Sequence, residues 1–276
     1  MSHRRPWTSL ALLCLLPLTA AAQRPRSEIP AGTKVERNLE YVKDGHERNK
    51  LDLYIPEKAA APLPVVVWIH GGAWRGGSKD RCPITWLAGK GYLVASINYR
   101  LLQHGEFPAQ IEDCKAAIRW LRANAKKYNL DPDRIGVMGG SAGGHLVALL
   151  GTSGHVKDLE GKGGNEEQSS RVQAVVDLFG PLGIPSGNRE KGNVLRYITK
   201  DTPPFLIVHG DADPTVPIRQ SERLTEALKK AGVEVRFERK EGAGHGGPAF
   251  RNDEARKMYE EFFDKHLKKK TASKKS

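Results

Sequence analysis

Cysteine is scarce in this chain, with three in 276 residues. None has a second cysteine or a histidine at metal-ligand spacing, so no zinc site is indicated. Cys82 and Cys114 lie outside the N-terminal segment, and an oxidising compartment would permit a disulfide between them. Two buried free thiols fit the sequence equally well, because a domain of this length does not need a disulfide. We expect no metal and no organic cofactor.

Aromatic residues make up only 7% of the chain, and they are not interleaved with basic residues as in nucleic-acid-binding motifs. We therefore expect no nucleic-acid partner, although the formal net charge is +12. Part of this charge lies at the C-terminus, which carries Lys268, Lys269, Lys270, Lys274 and Lys275. Residues 268–276 are predicted to form a basic disordered tail, which either aids solubility or attracts an acidic polymer.

Long hydrophobic runs are missing except near the N-terminus. There, arginines at positions 4 and 5 precede an apolar run over residues 10–18, and alanines occupy positions 20–22. This pattern is typical of an export signal, and the apolar run is too short to anchor the chain in a bilayer. We predict a signal peptide over residues 1–22, a linker over residues 23–34, and a secreted or periplasmic protein without stable membrane insertion.

Predicted strands and helices alternate along the rest of the chain. Runs of β-branched residues such as Val65-Val66-Val67-Trp68-Ile69 are typical of strands buried on both faces. The sequence predicts strands at 35–42, 49–55, 64–69, 92–99, 172–179, 205–209 and 233–239, and one that leads from 135 into a glycine-rich turn. It predicts helical segments that end at 90, begin at 146, or span 108–128, 218–231 and 250–267. Asp131-Pro132-Asp133 is predicted to separate the segment at 108–128 from the strand that follows it.

This alternation is typical of an α/β domain. We expect one domain over residues 35–267, with a mostly parallel central sheet of about eight strands and helices on both faces. A hairpin that turns at Asp44-Gly45 opens the sheet.

The glycine-rich turn carries the strongest functional signal. A G-x-S-x-G sequence centred on Ser141 lies between an apolar run from residue 135 and a helical pattern from residue 146. Gly139 and Gly143 have no Cβ and leave room for a sharp strand-to-helix corner that exposes the serine hydroxyl. This arrangement resembles the nucleophile elbow of α/β-hydrolases. A glycine-rich structural turn is the alternative, whereas a phosphate loop lacks its Lys-Ser/Thr pair.

A serine nucleophile needs a base and an acid, which follow it in this order along α/β-hydrolase chains. We predict Asp213 as the acid, because it follows the strand at 205–209 in an H-G-x-x-D-x-x-V-P setting. Asp211 is the competing candidate, and its alternative role is to bind loop amides. We predict His245, which glycines flank, as the base.

Two other histidines are assigned structural roles. His209 ends a strand and is expected to make a local hydrogen bond, and His145 lies on the helix after the elbow. An oxyanion hole is predicted from the amides of Gly72 and Ala73, which follow the strand at 64–69, together with Ala142 after the nucleophile.

Together these motifs resemble the secreted carbohydrate-esterase branch of the α/β-hydrolases, the acetyl-xylan and feruloyl esterase-like group related to hormone-sensitive lipase. The motifs are HGGAW, NYR, DPDRIGVMGGSAGGH, DLFGP, PPFLIVHGDADPTVP and GAGHG. The resemblance implies an α/β-hydrolase fold and the triad of Ser141, Asp213 and His245. Ala73 replaces a third glycine of lipase relatives, which leaves the backbone donor in place. HGGxW also resembles arylformamidases.

The substrate is expected to be a short acyl ester, acetyl or feruloyl, either on a small molecule or linked to plant polysaccharide. Residues 180–202 lack apolar helical spacing, so we predict a minimal lid and an open cleft. Amide hydrolysis by an arylformamidase- or peptidase-like enzyme, a general short-chain carboxylesterase, and an inactive binding module remain alternatives. The acyl group, the alcohol and the oligomeric state stay open.

Overall fold

The computed structural model describes residues 29–59 and 61–268. The predicted signal peptide, half of the predicted linker and all but the first residue of the predicted tail lie outside these residues and stay predictions. Within the described part, no helix combines the length and the apolar character needed to cross a membrane.

The described strands form one sheet. They are β1 Thr33–Glu40, β2 Lys50–Pro56, β3 Leu63–Ile69, β4 Leu93–Ile97, β5 Leu130–Gly140, β6 Ala174–Leu178, β7 Phe205–Gly210 and β8 Val235–Lys240. Their order is β1-β2-β4-β3-β5-β6-β7-β8. The β1–β2 and β2–β4 pairs are antiparallel, and the remaining neighbours in this sheet are parallel. The predicted mostly parallel sheet with an opening hairpin is confirmed.

Helices cover both faces of this sheet. They are α1 Ala109–Ala123, α2 Ala125–Tyr128, α3 Ala142–Thr152, α4 Arg219–Lys230 and α5 Asp253–Leu267, with short 3-10 helices at Lys79–Arg81, Thr85–Lys90, Lys157–Leu159, Val194–Tyr197 and Pro248–Phe250. One buried cluster joins α1, α3 and α4 to the sheet, and a second joins α5 and the 3-10 helix at Thr85–Lys90 to the other face. Along β3, Val65 and Val67 belong to the first cluster and Val66 to the second. This alternation explains why β3 is apolar throughout.

The helical segment predicted over 108–128 is interrupted. Asn124 separates α1 from α2, and its side-chain Nδ2 donates to the Trp120 carbonyl at 2.9 Å. An asparagine side chain that binds a helix carbonyl competes with the backbone bonds that continue the helix.

The prediction that Asp131-Pro132-Asp133 precedes the strand was wrong, because β5 already begins at Leu130. Leu130 pairs with Leu63 of β3, and pairing resumes only at Ile135 opposite Val65. The residues between them form an irregularity in the ladder. Pro132 has no N–H to donate and is tolerated in such a place.

No disulfide joins Cys82 and Cys114, and both are buried. Cys114 lies in the cluster beneath α1, and Cys82 lies in the cluster on the opposite face. The sheet therefore separates the two thiols. Burial raises the pKa of the Cys82 thiol to about 12, so the thiol is neutral at ordinary pH.

The parallel strands bring several loops to one edge of the sheet. Strands β3, β5, β6, β7 and β8 point the same way, so the loops that follow them meet at their carboxyl ends. The β1–β2 connection reaches the same edge, because Leu51 at the start of β2 pairs with Ile97 at the end of β4. Ligand sites of open α/β sheets lie at this edge.

Candidate active site

Ser141 occupies the corner between β5 and α3. Its backbone has φ 57° and ψ −121°, and its amide donates to the Leu178 carbonyl at 2.9 Å. A non-glycine residue in such a conformation costs of order 1–3 kcal/mol and persists only where its surroundings enforce it. Here the corner is tightly packed: a Cβ on Gly143 would lie 2.1 Å from the Ile69 carbonyl oxygen, and one on Gly139 would lie 2.5 Å from the Gly143 oxygen.

The structure brings Ser141, His245 and Asp213 into one hydrogen-bonded chain. His245 Nε2 lies 2.8 Å from Ser141 Oγ, and His245 Nδ1 lies 2.7 Å from Asp213 Oδ2. A carboxylate only accepts, so the Nδ1 proton of His245 faces Asp213 and the Nε2 lone pair faces the serine hydroxyl. This geometry can move a proton from Ser141 to His245.

Hydrogen bonds to Asp213 stabilise its charged form. Its side chain is fully buried, and Oδ1 accepts hydrogen bonds from the amides of Thr215 (2.7 Å) and Val216 (2.9 Å). Burial alone would raise the pKa of this carboxyl. The bonds from Val216, His245 and Thr215 outweigh burial and hold the pKa below its ordinary value of 3.8.

Asp211 lies elsewhere. Its Oδ1 accepts from the Gly242 amide at 2.7 Å, so it ties the loop after β7 to the loop after β8. This is the loop-binding role that the sequence analysis gave as its alternative. Among the described hydrogen bonds, none joins Asp211 to His245.

His209 makes the local hydrogen bonds expected of it, and it also touches the triad. Its Nδ1 accepts from Ser221 Oγ at 2.7 Å, and its Nε2 donates to the Val216 carbonyl at 2.8 Å. Nε2 lies 3.2 Å from Asp213 Oδ2 as well. Burial lowers the pKa of His209, so the ring is neutral and gives Asp213 a further N–H contact.

The loop after β3 passes directly beside the elbow. A Cβ on Gly71 would lie 3.2 Å from the Ser141 Cβ. Gly72, Ala73 and Trp74 then follow with positive φ of 115°, 52° and 56°. The amides of Gly72, Ala73 and Ala142 have no acceptor within the part of the chain that the structure describes. Unpaired amides next to a serine can bind a developing oxyanion.

His145 joins three parts of the site. It is fully buried on α3, its Nε2 donates to the Gly192 carbonyl at 2.7 Å, and its ring packs edge-on against Trp74 at 5.3 Å. It therefore links the elbow helix to the loop after β3 and to the segment after β6. Its position fits the structural role predicted for it.

Replacing His145 with glutamine is expected to reduce the amount by which the free energy of unfolding falls in acid. Burial lowers the pKa of His145 to about 4 in the folded protein, against an ordinary value of 6.5. Below pH 6.5 the unfolded chain takes up a proton that the folded chain does not. The stability that His145 contributes is thus present above pH 6.5 and is lost as the pH falls toward 4, by at most about 1.4 kcal/mol per pH unit.

Urea unfolding at pH 7, 6 and 5 measures this effect. The pH slope should be smaller in His145→Gln than in the wild type, with the exposed His155→Gln as the matched control. Burial also lowers the pKa of His70 to about 4, so His70 still contributes to the pH dependence of stability in both variants. Equal slopes in His145→Gln and the wild type would contradict the prediction.

Phe179 is a site residue that the sequence analysis did not single out. It follows β6 with φ 43°, uncommon for a bulky residue, and its ring packs edge-on against His245 at 4.8 Å and Phe250 at 4.7 Å. Its position within DLFGP, directly after a buried strand, was the available signal. In the same motif, buried Asp177 accepts from the Gly180 amide at 2.9 Å and fixes the chain as it leaves the strand.

A metal ligand set is not found among residues 29–59 and 61–268, where no group of three or more His, Cys, Asp or Glu side chains could hold an ion. The described site thus consists of a serine, an imidazole, a carboxylate and backbone amides.

Comparison with protein-family models shows which family this chain belongs to. The model described as BD-FAE matches residues 51–192, just over half of the chain, including the loop after β3 and the elbow. The chain belongs to the BD-FAE family. The resemblance to carbohydrate-esterase-like α/β-hydrolases is thereby confirmed, as is the α/β-hydrolase fold. A second model, the prolyl oligopeptidase family, matches residues 186–270 of this BD-FAE chain, which include Asp213 and His245.

Curated relatives of this BD-FAE chain are esterases. Esterase LipC of Mycobacterium tuberculosis is 31% identical over 67% of this chain and 53% of its own length. Isoprenylcysteine alpha-carbonyl methylesterase ICME of Arabidopsis thaliana is 28% identical over 84% of this chain and 61% of its own length. The chain spans about half the length of the first relatives it matches.

Several solved structures resemble it over nearly their whole length. A truncated carbohydrate esterase from gut microbiota has a TM-score of 0.80 and 34% identity, covering 86% of this chain and 97% of that one. The thermophilic esterase Est2 of Thermogutta terrifontis with bound propionate has a TM-score of 0.74 and 29% identity, covering 87% and 97%. The same esterase has also been solved phosphorylated by paraoxon (TM-score 0.73, 28% identity, 86% and 95% covered).

Proposed function

We propose that this protein is a secreted serine esterase that removes short acyl groups, acetyl or feruloyl, from plant polysaccharide. The observation that carries the proposal is the hydrogen-bonded chain from Ser141 Oγ through His245 to Asp213, with steps of 2.8 and 2.7 Å. Such a chain makes a serine hydroxyl nucleophilic at neutral pH. The relative that paraoxon phosphorylates lends support, because organophosphates react with activated serines.

In the proposed reaction, Ser141 Oγ attacks the ester carbonyl carbon while its proton passes to His245 Nε2. Asp213 stabilises the imidazolium that forms. The carbonyl oxygen becomes an oxyanion, bound by the amides of Gly72, Ala73 and Ala142. The bond between the carbonyl carbon and the alcohol oxygen then breaks, and His245 gives its proton to the leaving alcohol. Water, deprotonated by His245, attacks the acyl-enzyme and releases the acid and free Ser141.

An open site supports a short acyl group on a large substrate. The segment after β6 carries one short 3-10 helix, Val194–Tyr197, where larger relatives of the fold insert a cap. Ser141 remains partly exposed. A polymer can approach a site of this kind, whereas a long acyl chain finds little apolar surface to cover it. The likeness to the gut carbohydrate esterase agrees with a polysaccharide substrate.

Amide hydrolysis is the second candidate. The match of residues 186–270 to the prolyl oligopeptidase family favours it, since that region includes Asp213 and His245. The same triad can cleave an amide if it protonates the poorer leaving amine. The two candidates differ in leaving group, and a direct comparison of esters with amides distinguishes them.

Hydrolysis of a p-nitrophenyl ester series from acetate to decanoate, together with acetylated xylan, methyl ferulate and the anilide of acetate, tests the proposal. We expect kcat/KM to be highest for short acyl groups and at least about tenfold lower for decanoate. We also expect release of acetate or ferulate from the natural esters, and little anilide cleavage. A rate that increases steadily with acyl length, or faster cleavage of the anilide, would overturn the proposal.

A further inference from the structure

Arg48 lies in the β1–β2 connection, at the same edge of the sheet as Ser141, and has no role in the chemistry above. Its guanidinium is partly buried and makes several bonds at once. Nε donates to the Tyr99 carbonyl at 2.8 Å, and Nη2 donates to the Gly77 carbonyl at 3.1 Å. Nη2 also lies 3.2 Å from Nε2 of His70, the first residue of the HGGAW motif.

This last contact decides which nitrogen of His70 carries the proton. Arginine has donors only, so the Nε2 atom of His70 must accept, and the proton of the neutral ring lies on Nδ1. Nδ1 is 2.8 Å from the Gly71 carbonyl oxygen, which can only accept. Both neighbours of the ring thus require the same tautomer. Burial lowers the pKa of His70 to about 4, with the Arg48 charge acting in the same direction, so the ring is neutral at working pH.

The bond to Gly71 fixes the direction of the next amide. The Gly71 carbonyl and the Gly72 N–H belong to one peptide unit, and in a planar trans peptide they point to opposite sides. With the carbonyl turned toward His70, the Gly72 N–H is turned away from it. Gly71 itself packs against Ser141, where a Cβ would come within 3.2 Å of the Ser141 Cβ.

The loop packs tightly around the Gly71 carbonyl. A Cβ on Gly77 would lie 2.3 Å from both the Gly71 oxygen and His70 Nδ1. Gly77 in turn holds Arg48 through its carbonyl. Tyr99 stacks on the His70 ring at 4.5 Å and donates from its hydroxyl to the His70 carbonyl at 3.0 Å. The Arg48 guanidinium, on the β1–β2 connection, contacts this loop at His70 and Gly77.

We propose that Arg48 is a positioning residue for the oxyanion hole: by fixing the tautomer of His70, it directs the Gly72 N–H toward the reacting carbonyl. The inference rests on the proposed function, because it takes Gly72 as an oxyanion donor. Arg48 itself touches neither the substrate nor the triad.

Arg48→Met keeps an unbranched, largely apolar side chain in place of the aliphatic part of arginine and removes its donors. We expect kcat to fall about 10- to 100-fold with little change in KM, less than the 10²–10³-fold that follows deletion of a donor. The affinity for an acetyl-type trifluoromethyl ketone, whose serine adduct carries the oxyanion, should fall by the same factor. Arg48→Lys, which can still donate to His70, should recover most of this loss. Arg223→Met, exposed on α4, is the matched control.

The tautomer is measured directly by ¹⁵N NMR of the histidine side chains in the free protein, which needs neither activity nor a variant. We expect a protonated Nδ1 and an unprotonated Nε2 for His70 in the wild type, and a population of the other tautomer in Arg48→Met. A protonated Nε2 in the wild type overturns the proposal even if Arg48→Met does not fold.

Fluorophosphonate labelling of wild-type Ser141 separates the two proposals. Wild-type protein that neither labels nor hydrolyses esters refutes the proposed function, and with it the catalytic part of this inference, whatever the tautomer. Wild-type protein that labels and hydrolyses, together with an Arg48→Met variant that keeps wild-type kcat, refutes the role of Arg48 alone.

Discussion

Replacing Ser141 with alanine is expected to lower kcat for p-nitrophenyl acetate by about 10⁶-fold, the scale seen when a triad loses its nucleophile. The reason is geometric: Ser141 Oγ is the atom that His245 Nε2 faces at 2.8 Å. Alanine keeps the Cβ and therefore the same strained backbone at φ 57°, so the fold should survive. Any remaining rate above that of water would come from the amides that bind the oxyanion.

The measurement is kcat at saturating ester, with the folded fraction checked by thermal unfolding. Ser186→Ala, in the segment after β6, is the matched control, because Ser186 makes no hydrogen bond within the described residues. We expect Ser186→Ala to keep wild-type kcat. If Ser141→Ala kept more than about 1% of the wild-type rate, the nucleophile would have to be another group.

The candidate triad could be predicted because its signals are local in the chain. The glycines around Ser141 are required by close backbone contacts at the corner, and Asp213 and His245 each follow a strand with a clear β-branched or aromatic pattern. In a parallel sheet, the end of a strand is enough to place a residue at the shared carboxyl edge. The mostly parallel sheet and its opening hairpin follow from the same periodic signals.

Contacts between distant parts of the chain could not be predicted. Lys115 and Arg119 interrupt the apolar pattern of α1, yet both are buried, because Glu160 bonds to them at 2.8 and 2.7 Å. Lys79 lies in a polar stretch and is buried against Asp52 at 2.7 Å. A buried charge is tolerated only with its partner, and the sequence gives no sign of which residue that partner is.

The same limit applies to the residues that support the site. Arg48 and His70 are far apart in sequence, and their contact depends on how the β1–β2 connection folds over the edge of the sheet. Phe179 packs on His245 where the chain leaves β6 with a positive φ. Its place in the DLFGP motif marks it as a residue near the site but predicts neither this φ nor the contact. Only the three-dimensional structure shows where a side chain points after a strand. The same holds for a histidine tautomer that is fixed by hydrogen bonds between loops.

Of the two aspartates after β7, only Asp213 is expected to matter for catalysis. Asp213→Asn should lower kcat by about 10⁴-fold, because an asparagine can offer an N–H to His245 Nδ1 and so favour the tautomer that cannot take the serine proton. Asp211→Asn should leave kcat within a few-fold of the wild type, since Asp211 binds the Gly242 amide instead.

Comparing these two variants is a sharp test, because they differ by two positions in one loop and make the same chemical change. Active-site titration corrects kcat for misfolded protein, which matters because Asp213 also lies 3.2 Å from His209 Nε2. ¹⁵N NMR of His245 should show its proton on Nδ1 in the wild type and in Asp211→Asn, and on Nε2 in Asp213→Asn. If Asp211→Asn showed the larger loss, Asp211 would be the acid, and the 2.7 Å contact between Asp213 and His245 would have no catalytic role.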